Sequence, residues 1–144
     1  MKTIQQLIET KAKGREIFTI APDALVFEAL MLMAEKDVGA LVVLEGGRLA
    51  GIISERDYAR KVILHGKSSH DIRVREIMTS KVITVHPRQS VAECMALMTE
   101  RRIRHLPVTE GERLIGLLSI GDLVKEVIAD QEQTIKQLES YIHS

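Results

Sequence analysis

The chain has 144 residues, 45% of them hydrophobic and 28% charged, and its 20 basic and 20 acidic side chains cancel. Such a composition excludes a disordered chain, and a net charge of zero supplies no field for broad capture of nucleic acid or an anionic membrane. One cysteine, Cys94, excludes an internal disulfide, so a buried core must hold the fold.

The first residues, TIQQLIE, put Ile4, Leu7 and Ile8 on one face of a short helix. Packing on its own domain and forming a seam with a second chain are both open for that face, and equally for the apolar face of the C-terminal tail. IFTI, residues 17–20, is a β-branched strand that ends two residues before Pro22, which blocks further ladder pairing. A helix follows, with Asp23 as its expected cap. ALVVLEGGRLAGIIS, residues 40–54, has two apolar runs around Gly46 and reads as a hairpin, the glycine supplying a positive φ in the turn. Ser54 then opens the helix ERDYARKVI. The segment LHGKSSHDIRVREIMTSK is polar at first and ends in a short amphipathic turn.

From Val82 the pattern repeats. With a shift of 65 residues, Ile17 to Ile63 matches Val82 to Ile128 without a gap, keeping Thr19/Thr84, Pro22/Pro87, Gly51/Gly116, Ser54/Ser119 and Asp57/Asp122 identical. VITV is the matching strand. Ser90-Val-Ala-Glu93 is a capping box, and Val91, Cys94, Met95 and Met98 follow at helical spacing, which makes Cys94 a small buried hydrophobe. A hairpin turning at Gly111 leads to Ser119 and the helix IGDLVKEVI. The tail is a further helix, about 130–143, whose Ile135, Leu138 and Ile142 continue from Ile128 at heptad-like spacing. The predicted class is α+β: two pseudo-symmetric β-α-β-β-α repeats, about 10–64 and about 75–129, flanked by N- and C-terminal helices. One repeat is too small to bury both faces of its sheet, so the two should pack sheet to sheet as a single domain spanning 1–144.

Each repeat closes on G-h-h-S-x-x-D, with h apolar: GIISERD at 51–57 and GLLSIGD at 116–122. An aspartate three residues after a helix-opening serine projects from the first turn beside the hydroxyl. It can accept two hydrogen bonds from a ribose diol, while the hydroxyl and free helix amides face a phosphate. The same spacing is also a plain helix cap, and the two roles are compatible. The strand that follows each first helix diverges between the copies: Gly39, Ala40 and Leu41 in one, Arg104, His105, Leu106 and Pro107 in the other. Small residues let a ligand approach the backbone, and Arg104 with His105 supply a cation and a ring. Arg56 beside Asp57 has only Gly121 as counterpart, so phosphate binding should be stronger at the first site.

The doubled motif resembles a pair of cystathionine-β-synthase-type (CBS) domains, a Bateman module, over about residues 10 to 129. The resemblance implies a regulatory module that binds adenosine compounds in two clefts, AMP first among them, with ATP, ADP, NAD(H) or S-adenosylmethionine as alternatives. It implies one ligand site of Ile17, Thr19, Gly39, Ala40, Leu41, Ser54, Arg56 and Asp57, and another of Ser80, Val82, Thr84, Arg104, His105, Leu106, Pro107, Ser119 and Asp122. Simple β-propensity accounts for Thr19 and Thr84 equally well. The family also implies pairing of modules, hence a homodimer, and a regulated protein that is not fused to this chain.

Histidines 65, 70, 86, 105 and 143 show no ligand spacing, and neither a phosphate-loop nor a dinucleotide glycine motif occurs. The expectation is therefore no catalytic residue, no metal and no catalytic cofactor. Without an apolar signal or a membrane-length run, the expected compartment is the cytoplasm, with no membrane partner. Two other readings stand beside the sensor: a ligand-free interaction module that mediates oligomerisation, and a nucleic-acid binder. Four aromatics, Phe18, Phe27, Tyr58 and Tyr141, and zero net charge argue against the latter.

Overall fold

The computed structural model describes residues 2–10 and 17–143; the opening of the first repeat, between 11 and 16, lies outside them. The elements in chain order are α1 (Ile4–Thr10), β1 (Thr19–Ile20), α2 (Val26–Lys36), β2 (Ala40–Glu45), β3 (Arg48–Ser54), α3 (Glu55–Lys61), α4 (Val74–Ile77), α5 (Val91–Arg101), β4 (His105–Glu110), β5 (Arg113–Ser119) and α6 (Ile120–His143), with a 3₁₀ turn at Ile63–His65. The fold is of the mixed α+β class, and it divides into two units. One holds the first repeat and the segment after it; the other holds α1 and most of the chain beyond Thr84.

In the first unit β1 runs parallel to β2, pairing Thr19 with Val42 and Ile20 with Val43. β2 pairs antiparallel with β3 from Ala40↔Ser54 to Glu45↔Arg48, with a register shift at Val43/Leu44. The turn needs glycine, since Gly46 sits at φ +59° and Gly47 at φ +80°. Val26, Ala29 and Met33 recur on one face of α2 and pack with Leu41, Val43 and Ile53 to form the core.

Asp23 does not cap α2. Leu25 is the N-cap residue and makes no side-chain cap bond. The helix amides are instead satisfied by backbone from the segment after the repeat: Val26 N donates to Ile72 O at 2.8 Å and Phe27 N to Ser69 O at 3.0 Å. Asp23 accepts from Arg75 Nε and Nη2, both at 3.3 Å.

The second unit shortens its first strand. VITV contributes a single parallel bridge, Val85↔Val108, with Val85 N bonded to Pro107 O at 3.0 Å and Thr109 N to Val85 O at 2.9 Å. The reason is Pro107. At the aligned position Val42 donates its amide to Phe18 O at 3.3 Å, and a proline has no amide to give. The sheet here is the hairpin β4–β5 alone. Ser90 caps α5 by accepting from Glu93 N at 3.1 Å, but the Glu93 carboxylate takes Gln89 Nε2 at 3.4 Å, so only the serine half of the expected box forms. α6 runs unbroken from Ile120 to His143, and the tail expected as a separate helix continues the second repeat's closing helix.

Each repeat is completed by a short arm that lies outside the repeating pattern. Val74 N donates to Ala24 O and Arg75 N to Pro22 O, each at 2.8 Å; at the aligned acceptors, Ile4 N donates to Gln89 O and Gln5 N to Pro87 O, each at 2.9 Å. Lys2 O accepts from Val91 N at 3.3 Å as Ile72 O does from Val26 N. The arm before the first repeat thus covers the second, and the arm before the second covers the first. Ile4 is fully buried and Leu7 nearly so, which settles TIQQLIE as a face packed on its own chain.

Candidate functional site

The two G-h-h-S-x-x-D frames adopt the same local structure. Ser54 leaves β3 in an extended conformation and becomes the N-cap of α3. Asp57 N donates to Ser54 Oγ at 3.2 Å, and Ser54 N donates back to Asp57 Oδ2 at 2.9 Å, with the hydroxyl also 3.1 Å from that oxygen. In the second frame Asp122 N donates to Ser119 Oγ at 3.2 Å and Ser119 N to Asp122 Oδ2 at 2.8 Å. Each aspartate is therefore half-buried at the start of a helix, its carboxylate held by the amide of its own serine.

The strand start is tied to the same point. Glu55 N donates to Gly39 O at 3.0 Å and, at the aligned positions, Ile120 N to Arg104 O at 2.8 Å. So Gly39 and Ala40 lie beside the Ser54–Asp57 lock, and Arg104 and His105 beside Ser119–Asp122. Gly39 is half-buried and Ala40 buried; Arg104 is exposed and His105 half-buried. Leu41 and Leu106 are fully buried and their side chains fill the cores of their own units, while Pro107 is buried as well. Thr19 is exposed and Ile17 half-buried, and Arg56 projects to solvent. Of the residues assigned to the second site, Thr84, Arg104, His105, Leu106, Pro107, Ser119 and Asp122 share one unit, and Ser80 and Val82 belong to the other.

Two charged groups near the locks escape the sequence pattern. Lys61 Nζ stands 3.1 Å from Asp57 Oδ1 and donates to Ile77 O, in the last turn of α4, at 2.8 Å. Its aligned residue is Glu126, buried in α6, whose carboxylate faces Lys2 Nζ of the arm at 3.6 Å. The only signal for Lys61 is its i,i+4 spacing from Asp57, which is common on any solvated helix face. Cys94 is buried, and burial, with Glu93 adding to it, pushes its thiol up to about 11. Among the described residues no three side chains gather as a metal site.

A family model for the CBS domain matches residues 13–64 and 74–129. A mitochondrial CBS domain-containing protein of Arabidopsis thaliana, CBSX3, is 42% identical over 147 residues, spanning 97% of this chain and 71% of that protein. The structure of a CBS-domain protein from Burkholderia ambifaria superposes with a TM-score of 0.87 at 58% identity, over 90% of this chain and 96% of that one. The CBS domain pair of MJ0100, in complex with 5′-methylthioadenosine and S-adenosyl-L-methionine, shares the fold with a TM-score of 0.77 at 23% identity, over 88% of this chain and 99% of that one.

Proposed function

Since the chain belongs to the CBS domain family and carries two such domains, we propose that the whole of it, 1–144, is a regulatory module that binds an adenosine ligand and signals its level to a partner protein. AMP is the first candidate, with ADP, ATP and NADH behind it. In this reading the protein works in the cytoplasm as a homodimer and performs no catalysis of its own. Among the described residues no helix is long and apolar enough to cross a membrane.

The observation that carries the reading is the repeated serine–aspartate lock. In both frames the serine Oγ takes the N3 amide and the aspartate takes the serine's own amide, so the two oxygens close a full capping box at matching positions. The box holds each carboxylate at the same place beside the strand start, where a ribose hydroxyl exchanging with its present partners would meet it already positioned. Lys61 and Arg56 near Asp57 favour a phosphorylated ligand at the first frame. Arg104 supplies the charge at the second, with the His105 ring beside it. The MJ0100 pair shows that the fold itself accommodates adenosine derivatives.

Thermal unfolding with AMP, ATP, NADH and S-adenosylmethionine tests this, for the native chain, Asp57→Ala and Asp122→Ala. A ligand at about 100 times its Kd adds roughly 2.7 kcal/mol, a rise in Tm of about 5–10 °C for a chain of this size. Each substitution also removes a cap bond, so the ligand-induced rise is compared within each protein. A rise cut by one substitution more than by the other supports two unequal sites. No rise with any of the four ligands would return both locks to plain helix caps and favour the ligand-free interaction module.

A further inference from the structure

Beyond the part of α6 that packs on α5, one face of the helix is left exposed among the described residues. Val124, Ile128, Ile135, Leu138 and Ile142 are 39, 50, 53, 57 and 73% exposed. With Gln131 they stand alternately four and three residues apart from 124 to 142. Positions 124, 131 and 138, and positions 128, 135 and 142, thus recur every seven residues, the heptad spacing of a two-helix seam.

The flanking charges choose the occupant and its direction. Laid antiparallel on a second copy of itself about an axis near Gln133, the stripe closes in layers of Val124 on Ile142, Ile128 on Leu138, and Gln131 on Ile135, each formed twice. The same alignment sets Lys125 beside Glu139 at both ends and leaves one like-charge meeting, Glu132 with its own copy. Laid parallel, the flanking pairs are Ile120 with Lys125, Val127 with Glu132 and Thr134 with Glu139, none of them oppositely charged. We propose that the exposed face of α6 is the seam of an antiparallel homodimer, formed with the same face of a second copy. This names the interface of the homodimer in the reading above, and it requires no ligand.

Light scattering and disulfide trapping test it on the full chain. The substituted positions are exposed, and Cys94 is buried and does not compete for oxidant. The native chain is expected to be a dimer and Leu138→Lys a monomer of unchanged helicity. Lys125→Glu should weaken association about tenfold, and adding Glu139→Lys in the same chain should restore it. Under mild oxidation, Gln131→Cys mixed with Ile135→Cys should cross-link, and neither should do so alone. Cross-linking by Gln131→Cys alone would show a parallel seam and overturn the proposal, as would no cross-link in the mixture. A native dimer that Leu138→Lys leaves intact would overturn the seam while the homodimer stands. A monomeric native chain would overturn both.

Discussion

Lys61 and Glu126 occupy the same place in the two repeats and carry opposite charge. Lys61 links Asp57 to the carbonyl of Ile77 in one arm; Glu126 is buried in α6 beside Lys2 of the other. One frame thus has a cation a helical turn beyond its aspartate and the other an anion, so two copies of one motif sit in unlike fields. A carboxylate as buried as Glu126 depends on its cation, whereas an apolar side chain of similar size avoids the desolvation cost altogether. Lys2→Ala is expected to destabilise by about 1–2 kcal/mol, the exposure of Lys2 holding the figure below that for a fully buried pair. Glu126→Leu should be neutral or stabilising by up to about 2 kcal/mol. Urea unfolding of the two variants decides; equal losses in both would mean the ion pair is a net source of stability.

Gly51 and Gly116 mark where the arms cross the hairpins. A Cβ on Gly51 would meet Met78 Sδ at 2.7 Å and the Thr79 backbone oxygen at 2.8 Å, and one on Gly116 would meet only the δ-methyl end of Ile8, at 2.9 Å. Backbone cannot step aside as a side-chain tip can. Gly51→Ala should therefore cost about 2–3 kcal/mol and Gly116→Ala about 1 kcal/mol or less. Denaturant midpoints of the two single variants give the comparison directly, and equal costs would contradict it.

The repeat, its helices and hairpins and both locks are legible in the sequence because each is a local pattern. A lock spans four residues, and a hairpin announces itself by its glycine turn between apolar runs. The arms are legible as short amphipathic helices but not in what they cover, because the repeat that each of α1 and α4 lies on is far away along the chain. The same distance hides the cap of α2, whose amides are met by carbonyls of Ile72 and Ser69 rather than by the nearby Asp23. Pro107 is readable in retrospect. A proline opposite a would-be ladder position shortens the strand beside it, and VITV yields one bridge where IFTI yields a two-residue strand. The second frame's charge is the harder case, since Lys2 and Glu126 meet only through the arm.

Two helices end on a left-handed residue that is not glycine: Asp37 after α2 and Arg102 after α5, both at φ 54°. Aspartate tolerates that region better than a long side chain does, and Arg102 is exposed. Arg102→Gly should stabilise the chain by about 0.5–1 kcal/mol, or roughly 2–4 °C in Tm, and Asp37→Gly by less. Differential scanning of both variants tests the order; a loss of stability in Arg102→Gly would show that its guanidinium contributes more than its backbone costs.

Cys94 supplies a pH dependence whose sign follows from its burial. Its thiol holds its proton up to about 11 in the folded chain, because burial penalises the thiolate and Glu93 adds to the penalty. In the unfolded chain the thiol titrates near about 8.5. The stabilisation is thus complete below the unfolded value and is lost as the pH rises towards the folded one, since only the unfolded state can release the proton in between. Unfolding free energies of the native chain and Cys94→Ala across this window isolate the effect, because the cavity left by alanine adds an offset that does not vary with pH. The native-minus-variant difference should fall steadily from about pH 8.5 to 11. Alkylation at the lower end of that range should proceed only at the rate at which α5 opens. A flat difference, or labelling as fast as for a free thiol, would mean that the sulfur reaches water in the folded protein.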